Sequence, residues 1–121
     1  MLSLEVQICD AETHLSIKAV GPYNLSDLYN LFERVKEETE KRANRGVILD
    51  VTEVAGTISV LDSLALGEHF SKVWRLPSRI AIVSSKGGVD KFFENVAWNR
   101  GVPIVVVPNH SSAIAWVNWE Q

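Results

Sequence analysis

The sequence predicts an α/β fold: a mixed, mostly parallel sheet of about five strands with an N-terminal hairpin and flanking helices. Apolar residues alternate with polar ones over the first twenty positions, which is typical of a half-buried hairpin. Three later runs are continuously apolar and rich in β-branched residues, as strands covered on both faces are. Segments with helical spacing lie between these runs, so strands and helices alternate along the chain.

The N-terminal hairpin and the first helix come before this alternation. Gly21 and Pro22 end the second strand of the hairpin, and either Asn24 or Ser26 is expected to cap the helix that follows. The hairpin is predicted from the alternating residues Leu2, Leu4, Val6, Ile8, Leu15, Ile17 and Ala19. The helix is predicted from the spacing of Leu28, Leu31, Phe32 and Val35.

The second part of the chain supplies the parallel strands, with the hairpin adding an antiparallel strand at one edge of the sheet. The apolar runs predict strands over Val47 to Val51, Ile80 to Val83 and Ile104 to Val107. Helices are predicted over Ser59 to Trp74, Val89 to Asn99 and Ser111 to Trp119. Trp116 is expected in the core, whereas Trp119 could lie either in the core or on a partner or dimer face.

Length and composition limit the function classes. The 121 residues suit one domain over 1–121, and 46% hydrophobic with 22% charged residues is the composition of an ordinary globular protein. The formal net charge is −3, and the twelve basic residues are scattered among fifteen acidic ones. We therefore expect no nucleic-acid partner, because such binding needs Lys and Arg gathered on one face.

Cysteine content and hydropathy bear on the compartment. Cys9 is the single cysteine, so an intramolecular disulfide is excluded, and its place in a strand pattern predicts a buried, inert thiol. The N-terminus lacks the pattern of a signal peptide, and no apolar run approaches the roughly 18 residues that span a bilayer. We expect a cytoplasmic protein without stable membrane insertion.

Three polar loops follow the predicted parallel strands and are expected to meet at one rim of the sheet, where ligands of open α/β sheets bind. Hydroxyls, a lysine, a histidine and helix N-termini at such a rim could hold an anion. Loops also use Ser, Asn and Gly simply for turns and caps. The rim residues, with the helical turn that follows the first loop, are Thr52, Thr57, Ser59, Asp62, Ser84, Ser85, Lys86, Asn109, His110 and Ser111.

No catalytic or metal motif stands out in these loops. The sequence "SSKGG" lacks the frame of a phosphate-binding loop, and the three histidines lack metal-ligand spacing. A pairing of Ser59 or Ser85 with His110 would lack both a nucleophile motif and a third group. We expect neither an enzyme nor a bound metal or cofactor.

The stretch from Ser59 to Asp62 has the spacing of a capping box. The Ser59 hydroxyl is expected to accept a hydrogen bond from the amide of Asp62, while the Asp62 carboxylate reaches back to the amide of Ser59. Helix capping alone thus accounts for both residues.

The whole pattern resembles the STAS domain of anti-sigma factor antagonists and sulphate transporters. It is more similar still to small SpoIIAA-like bacterial proteins of the STAS/SEC14 group. The likeness covers nearly the whole chain and rests mainly on apolar patterns together with one Asp-Ser pair. The stretches that carry it are, in order, "GVILDVTEV", "LDSLALG", "SRIAIVSS" and "AIAWV".

This resemblance implies a non-catalytic interaction or regulatory domain with a protein partner, such as an anti-sigma factor or a kinase-like protein. In the antagonists, a serine after an aspartate at the start of this helix is phosphorylated, which makes Ser63 a candidate phospho-acceptor. Leu64 and Ala65 replace the expected Ser-Gly, and a longer preceding loop places Ser59 nearer the position of that serine.

The SEC14 side of the resemblance implies an alternative function, a binding module for a small anionic or amphipathic, lipid-like ligand at the rim. A homodimer is compatible with either function.

Overall fold

Strands and helices alternate along the chain as the apolar pattern predicts. The computed structural model describes residues 4–43, 45–85 and 88–118. Asn24, one of the two predicted caps, precedes the first helix and accepts a hydrogen bond from the amide of Asp27. The elements are β1 (Glu5–Asp10), β2 (Leu15–Pro22), α1 (Leu25–Glu40), β3 (Val47–Ala55), α2 (Val60–Val73), β4 (Ile80–Val83), α3 (Gly88–Asn99), β5 (Ile104–Val107) and α4 (His110–Val117).

The sheet has five strands within the described ranges, in the order β1-β2-β3-β4-β5. The hairpin pair β1 and β2 is antiparallel, with Ile8 opposite Ile17. The pairs β2 with β3, β3 with β4, and β4 with β5 are parallel. This arrangement confirms the predicted mixed α/β sheet with its antiparallel strand at one edge.

One face of the sheet, which we call the main face, is covered by α1, α2 and α3. Its core joins alternate residues of the strands, such as Leu49 and Ile82, to aromatic residues of the helices. Phe70 is fully buried and lies 4.7 Å from Phe32 and 5.5 Å from Trp74 between ring centroids. This face carries most of the buried apolar surface, and with it most of the hydrophobic stabilisation.

The opposite face, which we call the α4 face, is covered by the eight-residue helix α4, the one helix on this side among the described residues. Its core is a small cluster of four buried residues, Ile48, Ala81, Val83 and Ala113. The half-buried Trp116 packs against this cluster, with the guanidinium of Arg79 lying 4.8 Å from the ring centroid. Because α4 packs on β3, β4 and β5, no helix in the described part of the chain covers the hairpin strands on this side.

That uncovered part explains one incorrect expectation. Cys9 is exposed, not buried. Cys9 pairs with Ser16, and the next residue of β2, Ile17, faces the main core. Cys9 and Ser16 therefore point to the α4 face, in the part that α4 does not cover. The predicted helix end at Trp119 lies outside the described residues.

Candidate functional site

The three predicted loops do follow the carboxyl ends of β3, β4 and β5, but they do not form one continuous site. The first two lead into helices on the main face, and the third leads into α4 on the opposite face. The strand order is sequential, so no reversal of order opens a crevice between neighbouring strands. The predicted rim residues therefore separate into an α4-side group and a main-face group.

Asp50 is the centre of the α4-side group. Among the buried residues that the structure describes, it is the one with an acidic or basic side chain. Its Oδ2 atom lies 2.9 Å from Nε2 of His110, the first residue of α4. A buried carboxylate of β3 thus fixes the ring of a histidine whose side chain is 54% exposed.

A bulge in β3 brings Thr52 to the same carboxylate. The pairing of β2 with β3 shifts between Lys18 and Val20, because β3 has an extra residue there. The amide of Thr52 donates to Asp50 Oδ1 at 2.8 Å, and the Thr52 hydroxyl donates to the same atom at 2.6 Å. The bulge frees the amide of Thr52 from strand pairing, so it can donate to the carboxylate. Both oxygens of Asp50 therefore have hydrogen-bond partners.

These contacts determine the protonation of Asp50. Burial by itself would raise the pKa of this carboxyl, but the hydrogen bonds from Thr52 and the contact with His110 outweigh burial and hold the pKa below its usual range. Asp50 is therefore ionised at neutral pH. Next to it, Lys18 forms an ion pair with Glu53, which raises the pKa of the lysine.

The α4-side group presents an imidazole that Asp50 orients and whose side chain is partly exposed. No hydroxyl or thiol is recorded in hydrogen-bond contact with His110 among the described residues. The predicted partner Ser59 uses its hydroxyl elsewhere, as the cap of α2. The Asp50–His110 contact joins the start of α4 to strand β3.

The main-face group is organised by the start of α2. Ser59 is its N-cap, with Oγ accepting from the amide of Asp62 at 3.1 Å. The Asp62 carboxylate accepts from the hydroxyl of Tyr23 at 2.7 Å. No return bond from Asp62 to the Ser59 amide is recorded in the described part of the chain. The capping box is thus half formed, and its carboxylate instead ties α2 to the residues before α1.

Tyr23 also touches the loop that leads into α2. Its amide donates to the carbonyl of Ala55, and a Cβ at Gly56 would lie 3.3 Å from the Cβ of Tyr23. Gly56 has a φ of +114°, which a residue with a side chain rarely adopts. This close approach determines the conformation of the loop between β3 and α2. The hydrogen bond from Tyr23 to Asp62 holds the loop in that conformation.

Ser63 and Ser84 point into the interior on this side. Both are buried, Ser63 completely. They line a mostly apolar cavity of about 60 Å³, together with Asp90, whose Oδ1 accepts from the Ser84 hydroxyl at 2.9 Å. A kinase cannot reach Ser63 without opening the helix packing.

The remaining predicted residues lie at the surface. Thr57, Ser85 and Ser111 are exposed, and Asn109 caps α4 by accepting from the amide of Ser112. Lys86 lies outside the described residues. Two exposed aliphatic side chains adjoin the Ser59 cap: Val60 is 57% and Leu61 77% exposed.

Asp50, Tyr23 and Asp90 are site residues that were not predicted from the sequence. A signal for Asp50 was present, because "ILDVT" places an acidic residue inside an apolar strand that is predicted to be buried. Tyr23 gave no comparable signal, since its partner Asp62 is far away in sequence.

The described residues contain no group of three or more His, Cys, Asp or Glu side chains placed to hold a metal ion. No helix among them combines the length and the apolar character needed to cross a bilayer.

Comparison with known proteins bears on the fold. No protein-family model matches the chain, and no curated protein is similar to it in sequence. The chain is similar to a crystal structure of an uncharacterized protein of the DUF3478 family with a SpoIIAA-like fold, from Shewanella loihica PV-4. The TM-score is 0.57 at 18% identity, covering 95% of this chain and 94% of that one. The chain thus has a SpoIIAA-like α/β fold, as the resemblance to STAS and SpoIIAA-like domains implies.

Proposed function

We propose that this chain is a non-catalytic, regulatory protein-interaction domain. Its contact surface is the first turn of α2, residues Ser59, Val60 and Leu61, which we call the α2 turn. The observation that carries the proposal is the exposure of two adjacent aliphatic side chains there, with Leu61 77% exposed. Contiguous exposed apolar groups with a polar rim are typical of protein contact sites, and Val60 and Leu61 are adjacent.

The α2 turn is held in one geometry, which suits a docking surface. The Ser59 cap fixes its first amides, and the hydrogen bond from Tyr23 to Asp62 ties it to the start of α1. A preorganised surface loses less conformational entropy on binding than a mobile one. A partner with a small apolar pocket and a polar rim fits this surface.

Phosphorylation at the α2 turn would act on Ser59. Its side chain is at the surface, whereas Ser63 is fully buried. A phosphate on Ser59 would meet the free amides at the start of α2, and the carboxylate of Asp62 would oppose its charge of about −2. Phosphorylation would therefore change both the charge and the cap of the contact surface, which gives a switch a physical basis.

The alternative function, a binding module for an anionic or lipid-like ligand, has less support. The cavity on the main face measures about 60 Å³, well below the roughly 150 Å³ that accommodates one benzene. A larger groove of about 360 Å³ beside β5 is open to solvent, and the carboxylates of Asp90 and Glu94 line it. Asp50, Asp62 and Asp90 bring carboxylates to the rim, which disfavours an anion there. Titration with such ligands in a thermal-shift assay is expected to leave the melting temperature unchanged.

The experiment for the proposed function compares Leu61→Ser with Ile114→Ser in affinity capture from the native cell. Both side chains are exposed aliphatics, at opposite faces of the sheet, so neither change is expected to lower the melting temperature noticeably. Leu61→Ser is expected to lose a protein that the wild type and Ile114→Ser both retain. Equal recovery by all three chains would contradict the proposal.

We also propose that the protein is cytoplasmic, because a reducing compartment suits its single free cysteine.

The same capture experiment tests regulation of the contact surface. Ser59→Asp, which adds a charge at the α2 turn, is expected to weaken recovery of the same partner, while Ser59→Ala retains it.

A further inference from the structure

Among the described residues, no strand pairs with the outer edge of β5. β5 pairs with β4 alone and ends the sheet. It consists of four consecutive β-branched apolar residues, Ile104–Val107. A short apolar strand with a free edge and no charge of its own is the type of segment that pairs with a copy of itself in another molecule.

The two amides that point away from β4 are nevertheless both occupied. The carbonyl of Pro103 accepts from the amide of Ile80 in β4, and the carbonyl of Val107 accepts from the amide of Ser84 just after it. Because backbone groups alternate along a strand, the amides of Ile104 and Val106 point away from β4. The amide of Ile104 donates to the carbonyl of Val102 at 2.9 Å. The amide of Val106 donates to Oε2 of Glu94, a residue of α3, at 2.6 Å.

Glu94 is placed to hold this bond. Its side chain is only 13% exposed, and its other oxygen accepts from Nζ of Lys91 one helical turn earlier, at 2.9 Å. An open groove of about 360 Å³, lined in part by Glu94 and Val106, runs along this end of the strand. The groove thus leaves space for an incoming chain beside β5, and the Glu94 carboxylate occupies the Val106 amide to which that chain would bond.

The flanking sequence has the same effect. Pro108 directly follows β5 on the outward side of the backbone alternation, and it has no amide hydrogen to offer a further strand. Prolines and charged side chains are the usual means by which natural sheets keep their edges from joining.

We propose that Glu94 closes the β5 edge against strand addition by a second copy of this chain. Its carboxylate occupies the outward amide of Val106, from which an intermolecular sheet would otherwise start. This role is independent of the α2 turn and of any partner that binds there.

The test combines hydrogen exchange with light scattering on Glu94→Ala, Glu94→Gln and Lys91→Ala. In the wild type, the Val106 amide is expected to exchange slowly although no strand lies beside it. In Glu94→Ala its exchange is expected to rise at least about tenfold, and the scattering mass to increase with concentration above that of the wild type. Glu94→Gln keeps a side-chain carbonyl as acceptor, and Lys91→Ala keeps the carboxylate. Both are expected to behave as the wild type.

Two results would overturn the proposal. One is a folded Glu94→Ala whose mass follows that of the wild type at every concentration. The other is a Val106 amide that exchanges in the wild type as fast as in an unstructured peptide, a measurement that needs no variant to fold. Should Glu94→Ala fail to fold, slow Val106 exchange in both the wild type and Glu94→Gln supports the proposal.

Discussion

The two faces of the sheet are built by different means. The main face has three helices and an aromatic core around Phe70, whereas the α4 face has one short helix over four buried residues. Directional contacts supplement packing on the α4 face. His110 bonds to Asp50 at the start of α4, and Arg79 Nη1 donates to the carbonyl of Trp116 at 3.1 Å near its end.

The difference shows how stabilisation is divided between the faces. Burial on the main face is non-directional and scales with apolar area, so a loss there is felt by the whole domain. A helix of eight residues is too short to be stable by itself and depends on its few anchors. We therefore expect changes on the main face to alter global stability, and changes on the α4 face to act more locally.

Phe70→Ala is expected to produce the largest effect. Phe70 is fully buried against Phe32, Trp74 and Phe93, so its truncation is expected to cost about 3–5 kcal/mol in the free energy of unfolding. Trp116→Ala on the α4 face is the matched variant. Trp116 is half-buried, and its indole N–H has no hydrogen-bond partner among the described residues, so less is lost. Equal costs in denaturant unfolding would contradict the comparison.

Asp50→Ala is expected to be the costliest polar change on the α4 face, at about 1–3 kcal/mol, because it leaves the amide of Thr52 without its acceptor. His110→Ala is expected to cost about 1 kcal/mol or less, since the ring is largely exposed and Asp50 keeps its bonds to Thr52. Denaturant unfolding of both variants measures the order. A greater cost for His110→Ala would show that the histidine, not the buried carboxylate, is the main anchor.

Acid titration separates the buried carboxylate from surface ones. The folded pKa of Asp50 is lowered, so its contribution to stability is present above the unfolded pKa of about 3.9 and is lost as pH falls through the folded value. In Asp50→Asn, the free energy of unfolding is expected to fall less steeply with decreasing pH than in the wild type. This difference is expected to persist in high salt. The pKa of Asp10 is likewise lowered, by Arg42, but Asp10 lies at the surface. The effect of Asp10→Asn is expected to fade with salt. The same salt dependence for both variants would contradict this distinction.

Removal of the two helix caps is expected to produce small effects that differ in how far they spread from the two faces. Ser59→Ala and Asn109→Ala each remove one side-chain acceptor at a helix start, worth about 1 kcal/mol. In Ser59→Ala the loss is expected in global unfolding, because α2 is part of the main core. In Asn109→Ala it is expected as faster amide exchange confined to α4. Faster exchange throughout the sheet of Asn109→Ala would show that α4 is not a separate unit.

The fold was largely predictable because it follows from local apolar patterns. The continuous runs at Ile80–Val83 and Ile104–Val107 became strands with the predicted limits, and Ser59 caps α2 as its spacing indicates. The strand β3 was predicted too short, since the bulge at Thr52 carries it on to Ala55 and no local pattern reports a bulge.

The sites were less predictable because they depend on distant pairs. Asp50 and His110 lie 60 positions apart, and Tyr23 and Asp62 lie 39 apart. The division of the rim depends on which face α4 covers. Tertiary packing determines which face α4 covers, and this cannot be predicted from the loop sequences.

Photocrosslinking in the native cell tests whether the α2 turn is the contact surface. A photoreactive residue is placed at position 61 or, as the control, at position 114, both of which are exposed. We predict one discrete protein adduct from position 61 that is absent at position 114 and reduced by Ser59→Asp. The same adducts from both positions, or none from position 61, would contradict the account.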